Sequence, residues 1–473
     1  MKYHSTMSSI DYMKSLGLRE DSGDTDFHDL DEVMASSIAE RKLPRWVKEV
    51  DKPTVEIDWT RMKRFDGTKT MFNQSAVAEA LGTEEGERLA KLRGLPGWAR
   101  NVRKNKAGTS LKDVALLSGA MLNMFHNRPP QPLSLESSFL GPRSYFSPED
   151  LGVPRWKGTP EEATRIVRAA AKFYGASTVG VTEVDEKTRK LFYARDAAGN
   201  SLPPEPSKDV VFEDVDEAYE TDKKRVIPYK IKSVIVFTIR MSQPAIATSN
   251  SYIADAAVAM GYSQGFLVSI RLQQFLRALG YQCLAESNIN GSLANSGGFG
   301  VLSGLGELSR LNRVITPEYG PMVRIFKIVT DLPMAPTKPI DAGIWRFCRT
   351  CKKCAEACPS KCLSMGEPSW EVTGFWNNPG VKAYYEYAPR CMAYWRTSAT
   401  WCGICFSVCP FSNLAKEDKP LMHEGVAQLI ATTPALDGLI TRMDRVSGHA
   451  YKDAVEWWDI DLPAHGYDTM LHR

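Results

Sequence analysis

Nine of the ten cysteines lie between Cys348 and Cys409, and Cys283 alone falls outside that stretch. A disulfide scaffold spreads its cysteines over a small chain, and 473 residues hold ample core without staples. Thiols crowded this tightly point to metal. Cys348, Cys351, Cys354 and Cys358 follow C-x2-C-x2-C-x3-C with Pro359 next, which is the bacterial ferredoxin run. The short spacings let three thiolates converge on one cubane, and the longer step turns the fourth toward another cluster. A second run, Cys391-x10-Cys402-x2-Cys405-x3-Cys409-Pro410, repeats the pattern with its first spacing stretched. Exchange of the fourth cysteine then assigns Cys348, Cys351, Cys354 and Cys409 to one [4Fe–4S] cluster, and Cys358, Cys391, Cys402 and Cys405 to the other. A pair of zinc sites would join C-x2-C knuckles across a longer loop, with no need of a fourth thiolate followed by proline. Cys362 and Cys283 fall outside the runs and read as small buried hydrophobes.

The rest of the chain must supply whatever the electrons act on. Charged residues make up 24% with a net charge of +3 and both signs interspersed, which gives no reason to expect a nucleic-acid partner. The longest apolar stretches, such as Val114–Leu122, fall far short of the ~20 residues that cross a bilayer. Eleven Trp and seventeen Tyr favour a large, aromatic-lined pocket. "TPEEATRIVRAAAKFYGA" predicts a helix from an N-cap at Thr159 to Gly175, with Ile166, Val167, Ala170 and Phe173 on its buried face. "KSVIVFTIRM" at Lys232–Met241 and "MVRIFKIVTDL" at Met322–Leu332 read as strands, and a long helix is expected from about Tyr252 to Leu279, closed by Gly280. Helix and strand alternate, so the middle of the chain is an α/β unit. The organisation expected is a tail over 1–45, an N-terminal unit over 46–160, a core over 161–340, a ferredoxin-like domain over 341–415 and a C-terminal segment over 416–473 packing on the core.

The order of motifs resembles the catalytic subunit of a reductive dehalogenase of organohalide respiration. The motifs are "GYSQGF", "ESN", "SGLGELSR" leading to "ITPEYGPMVRI", "TDLPMAPTKPID", and then the two cysteine runs. The N-terminal "STMSSIDYMKSLGL" is similar to a twin-arginine export signal in which Ser9-Ile10 replace the arginines and no apolar segment follows. The family is exported and held on the outer face of the cytoplasmic membrane, whereas this chain as written is expected in the cytoplasm. The resemblance implies an α+β fold: a nitroreductase-like α/β corrinoid-binding core, covered by the N-terminal unit, with an inserted two-[4Fe–4S] ferredoxin-like domain. It implies that two electrons and a proton replace halide by hydrogen at cob(I)alamin, on a chlorinated ethene or chlorinated aromatic. The corrinoid is base-off with no His ligand, and none of the seven scattered His sits in an Asp-x-His-x-x-Gly arrangement. The partners implied are a small membrane-anchoring B protein, a low-potential electron donor and a second copy in a homodimer.

The resemblance also carries residue roles. Tyr262 in "GYSQ" is the proton donor, and Arg324 in "GPMVRI" steadies the phenolate that a donor leaves behind. Asn288 in "ESN" orients substrate or donor. Ser303, Gly304, Leu305 and Gly306 form a backbone wall close to the corrinoid. Trp395 and Trp401 line the substrate channel, and Val258, one turn before Tyr262, faces the same pocket. The stretch Ile289–Gly300 departs from the family pattern. An epoxyqueuosine-reductase-like enzyme, a ferredoxin-type carrier and a corrinoid-binding chaperone remain as alternatives.

Overall fold

Four strands make the central sheet: β1 (Thr178–Glu183), β2 (Ser233–Arg240), β3 (Cys283–Ala285) and β4 (Val323–Thr330). Their order is β1-β2-β4-β3 and every pairing is antiparallel. All eight residues of β2 are buried, as the uninterrupted apolar run demands of a strand covered on both faces. Its alternation divides two cores. Ile235, Phe237 and Ile239 pack with helices α1 (Pro160–Phe173) and α2 (Tyr252–Ala278). Val234 and Val236 pack on the other side with Phe299 of α3 (Ser296–Leu302) and with Val210 and Ile227 of a three-stranded sheet over residues 209–228.

The computed structural model describes residues 43–104, 106–110, 113, 139–140, 148, 154–196, 207–286, 293–413, 420–446, 453–462 and 465. The export-signal-like segment and Asn288 lie outside them. From Leu43 onward the chain clusters as one unit.

Helix α1 begins where the sequence requires. The Thr159 side chain accepts from Glu162 N while Thr159 N donates to Glu162 Oε2, a complete capping box with Pro160 at the first helical position. Its buried face is Ala163, Thr164, Val167 and Ala171. Phe173 was expected there and is instead 87% exposed. The arc that packs on the sheet runs through Val167 and Ala171, and the helical turn carries Phe173 past its edge.

Helix α2 starts at an N-cap Ser251 that accepts from Ala254 N, and Gly280 follows its end at φ +90°. It has 27 residues, and over an 18-residue window its mean hydropathy is 1.2, so by length and composition alone it passes for a membrane span although its apolar runs are interrupted. Two thirds of that window (67%) is buried inside the fold. The "GYSQG" segment explains how α2 lies so close to β4. A Cβ at Gly265 would stand 2.0 Å from the Phe326 ring, and one at Gly261 would stand 3.0 Å from Arg324 Cγ. Bare backbone at these two positions lets two side chains of one strand nest on the helix. Phe326 then stacks on Phe237 with centroids 5.5 Å apart and meets Tyr262 edge-on at 6.1 Å.

Beyond the sheet, helix α4 (Ile344–Cys351) and helix α5 (Lys353–Ala357) carry the first cysteine run, and α6 (Ala388–Ser398) opens the second. The thiols sit in a hydrophobic cluster with Trp46 and Val47 from the start of the described chain and with Ala427, Ile430 and Ile440 from its end.

Candidate active site and metal centres

Strand β4 pairs with β2 over its whole length, but β3 reaches only Ile328, Val329 and Thr330. The other edge of Val323–Lys327 has no strand partner among the described residues. A chamber of about 460 Å³ opens there, bordered by Val323, Arg324, Ile325 and Phe326. Residues between Val55 and Phe72 supply one wall, Asn295–Gly298 with Val301 and Leu302 a second, and Cys391, Met392 and Trp395 of α6 a third. Trp59, Phe65, Phe72, Tyr193, Trp376 and Phe406 give it the aromatic lining expected from the composition.

Tyr262 and Arg324 both border this chamber. Adjacent elements hold them: Tyr262 on the middle of α2, Arg324 on the open end of β4. The Arg324 guanidinium carbon stands 5.1 Å from the Tyr262 ring centroid and 5.9 Å from that of Phe406. The cation therefore lies over the faces of two rings. Arg324 Nε is buried without a hydrogen-bond partner.

The same chamber touches a buried ion pair that has no local signal in the sequence. Lys327 Nζ donates to Glu286 Oε1 and, at 2.7 Å, to Ser296 Oγ. Side-chain exposure is 1% for Lys327 and 6% for Glu286. Burial pushes the Glu286 carboxyl up and the Lys327 ammonium down, and each charge opposes the shift of the other. The pair ties Glu286, just after β3, and Ser296, at the start of α3, to strand β4. Lys327→Met leaves a buried carboxylate without its cation and should cost ~3–5 kcal/mol, read as a lower urea midpoint. Lys327→Met with Glu286→Leu should recover most of that loss, and a double variant no better than the single would refute the account.

The thiols divide into two groups. Cys348, Cys351, Cys354 and Cys409 together line a small apolar cavity of about 20 Å³ with Arg310, Phe347 and Phe411. Cys358 lies beside Cys362, which stands in the field of Cys391, and Cys402 feels the charge of Cys358; Cys405 feels that of Cys354, from the first group, and then that of Cys402. Burial pushes the Cys354, Cys405 and Cys409 thiols far up, and iron charge is what would offset this. Glu307 positions the first group: its carboxylate accepts from Ala342 N, Ile344 N and Thr54 Oγ1 and so caps α4. Two arginines lie against the groups. Arg310, 1% exposed, donates to the carbonyls of Cys348, Ser364 and Gly366 and lies 4.1 Å from the Tyr384 ring centroid. Arg313 pairs with Glu386 at 2.8 Å and stands in the field of Cys391 and Cys405.

Several expected site residues stand elsewhere. Trp395 borders the chamber; Trp401 and Val258 do not. Trp401 packs with Tyr252, Ala256 and Trp98, and its backbone N–H donates to Asp255 Oδ1 at 2.9 Å. Val258 packs in a cluster with Met322, Trp457 and Phe406, because α2 is enclosed by different neighbours on each side. Ser303, Gly304, Leu305 and Gly306 also miss the chamber. A Cβ on Gly304 would meet Lys338 O at 2.0 Å and one on Gly306 would meet Ile315 O at 2.3 Å. These glycines admit other segments of this chain, and the neighbouring Gly297 and Gly298 border the chamber instead.

The cysteine region defines the class first. Residues 347–412 match the 4Fe-4S double cluster binding domain, so this is a protein of two iron–sulfur clusters. Residues 42–334, more than half of the chain, match the family described as reductive dehalogenase subunit, and the chain belongs to that family. It is 36% identical over 322 residues to the tetrachloroethene reductive dehalogenase of Sulfurospirillum multivorans, covering 66% of this chain and 62% of that one. It is 29% identical to the chloroethene reductive dehalogenase of Dehalococcoides mccartyi strain VS, over 99% of each chain. A solved reductive dehalogenase, whose structure suggests a mechanism for B12-dependent dehalogenation, superposes with a TM-score of 0.62 at 19% identity. That match covers 92% of this chain and 54% of the other, so the chain spans about half the length of that solved relative.

Proposed function

We propose that this chain removes halide reductively from a small organohalide, a chlorinated ethene or chlorinated aromatic, at a corrinoid held in the 460 Å³ chamber. One observation carries the reading: Tyr262 and Arg324 border the same chamber as Cys391, so a proton donor and an iron–sulfur ligand face one apolar space. A corrinoid fits the residues present. The open edge of β4 offers backbone groups to its amide side chains, Arg324 Nε awaits a partner, and Asn295, Asn377 and Asn378 add polar contacts to an apolar wall. The reading is a base-off corrinoid with no His ligand. When bound, it supplies the two-electron cobalt chemistry that breaks a carbon–halogen bond.

The chain's own residues do the remainder. Tyr262 holds the proton at its hydroxyl, and Arg324 over its ring stabilises the phenolate left behind. Phe326, Phe406 and Trp395 keep water from the space between. Asn288 orients the substrate. Cys348, Cys351, Cys354 and Cys409 hold the outer cluster, and Cys358, Cys391, Cys402 and Cys405 hold the one beside the chamber. A low-potential donor reduces the outer cluster, and a small membrane-anchoring B protein is the partner. The core is nitroreductase-like, with residues 46–160 as its cover and residues 341–415 as the ferredoxin-like insertion.

The test is anaerobic reconstitution with iron, sulfide and cobalamin, followed by turnover of chlorinated ethenes and chlorinated benzenes with reduced methyl viologen. One cobalt retained for every two clusters, with chloride released, is expected. Full iron with no retained cobalt would leave a plain electron carrier and sink the proposal.

A further inference from the structure

All ten cysteines are among the described residues. Eight fall in the two ferredoxin runs and Cys283 is enclosed in the sheet core. The tenth, Cys362, was expected to be an inert hydrophobe, yet the fold brings it to the second group of thiols. Its Sγ lies 3.5 Å from Cys358 Sγ, and the same thiol stands in the field of Cys391. The approach is built by the backbone. Lys361 turns back through φ +50° and its N–H donates to Cys358 O at 3.1 Å, which folds Cys362 over Cys358. Tyr387 N donates to Cys362 O at 2.8 Å, tying this turn to the start of α6, which carries Cys391. Cys362 is 5% exposed.

The two thiol groups are therefore unequal. The cavity of the first is lined by four cysteines, Cys348, Cys351, Cys354 and Cys409. The second has Cys362 in addition to Cys358, Cys391, Cys402 and Cys405. A cubane takes four thiolates.

We propose that Cys362 is a reserve ligand of the second [4Fe–4S] cluster, standing beside Cys358 and able to take over its iron. The inference rests on the iron–sulfur reading above. In the intact protein the Cys362 thiol donates a hydrogen bond to the Cys358 sulfur, and donors to ligand sulfurs raise a cluster's potential. When Cys358 is lost, the Cys362 proton passes to solvent and its thiolate forms the iron–sulfur bond that Cys358 no longer makes. One bond replaces another and no electrons change hands. The movement is of side-chain scale, since the two sulfurs are already in contact.

The experiment compares full chains reconstituted anaerobically: wild type, Cys358→Ala, Cys362→Ala, the double variant, and Cys354→Ala as a first-group control. Iron content and the EPR of the reduced protein are read, so activity does not enter. Cys358→Ala should keep the iron of two cubanes, the double variant and Cys354→Ala should keep one, and Cys362→Ala should keep two with the second cluster's midpoint potential shifted negative. Cys358→Ala losing as much iron as the double variant would overturn the proposal. So would Cys362→Ala losing a cluster by itself, or keeping both at an unchanged potential. The wild-type count is read first: fewer than two cubanes there overturns the iron–sulfur reading and the inference with it. Two in wild type with one in both Cys358 variants overturns the inference alone.

Discussion

Tyr262→Phe should leave fold, clusters and corrinoid loading intact and lower turnover by at least ~10²-fold, the scale of losing a positioned proton donor. The substitution removes one hydroxyl on the chamber wall and keeps the ring that meets Phe326 edge-on, so packing does not account for a loss. Arg324 is expected to act on the same proton, because its guanidinium lies over the Tyr262 ring and a phenolate there is stabilised more than a phenol. Arg324→Lys keeps the charge and loses the planar stack, so it should retain part of the activity that Arg324→Ala loses. Residues that serve one step are not additive, and the double variant should be little worse than Tyr262→Phe alone. Cobalt content is measured for each protein alongside the steady-state rates. A Tyr262→Phe protein fully loaded with corrinoid and turning over like wild type would overturn the mechanism.

What the sequence made legible is what local chemistry determines. The start of α1 was readable because Thr159, Pro160 and Glu162 satisfy the helix's own first amides. β2 was readable because a strand covered on both faces needs no polar alternation. Tyr262 and Arg324 were singled out through ordered motifs and border one chamber, and the fold adds the physical reason for part of those motifs: Gly261 and Gly265 are the places where β4 side chains enter α2. What stayed illegible depends on contacts between distant segments. The chamber exists because β3 stops at Ala285 opposite Ile328, and no run of residues announces where a neighbour will stop. Gly304 and Gly306 mark a close approach, but a bare backbone reads the same whether a cofactor or another carbonyl comes near. One helical turn relates Val258 to Tyr262, yet the two meet different neighbours. Arg310 against Cys348 and Lys327 against Glu286 are pairs 38 and 41 residues apart, with charge as their only trace in the sequence. The length of α2, from Tyr252 to Ala278, was legible; its overall apolar character was not, because Asp255, Gln264 and Arg271 interrupt its apolar runs, and in a helix enclosed by protein such residues find partners, as Asp255 does at Trp401 N.

The proposed exchange of cysteines between the two runs has a consequence that runs against sequence proximity. Cys405 and Cys409 are four residues apart, yet Cys409 lines a cavity with Cys348, Cys351 and Cys354 and Cys405 does not; Cys405 stands in the field of Cys354 and then of Cys402. Cys409→Ala should therefore abolish the same EPR signal as Cys348→Ala and leave the signal that Cys402→Ala abolishes. Each variant should lose the iron of one cubane and keep the other, because each set of thiolates binds its own cluster. The effects on function should differ in kind. Cys402→Ala empties the site beside the chamber that Cys391 borders, so turnover should vanish even when the outer cluster is reduced. Cys409→Ala empties the buried outer site, and turnover driven by a protein donor should vanish, while a small dye that reaches the inner cluster should still support some. Iron counts, EPR of the reduced variants and rates with both donors separate these outcomes. Should Cys409→Ala and Cys402→Ala lose the same signal while Cys348→Ala loses the other, the ligands are not exchanged and the assignment of both clusters falls.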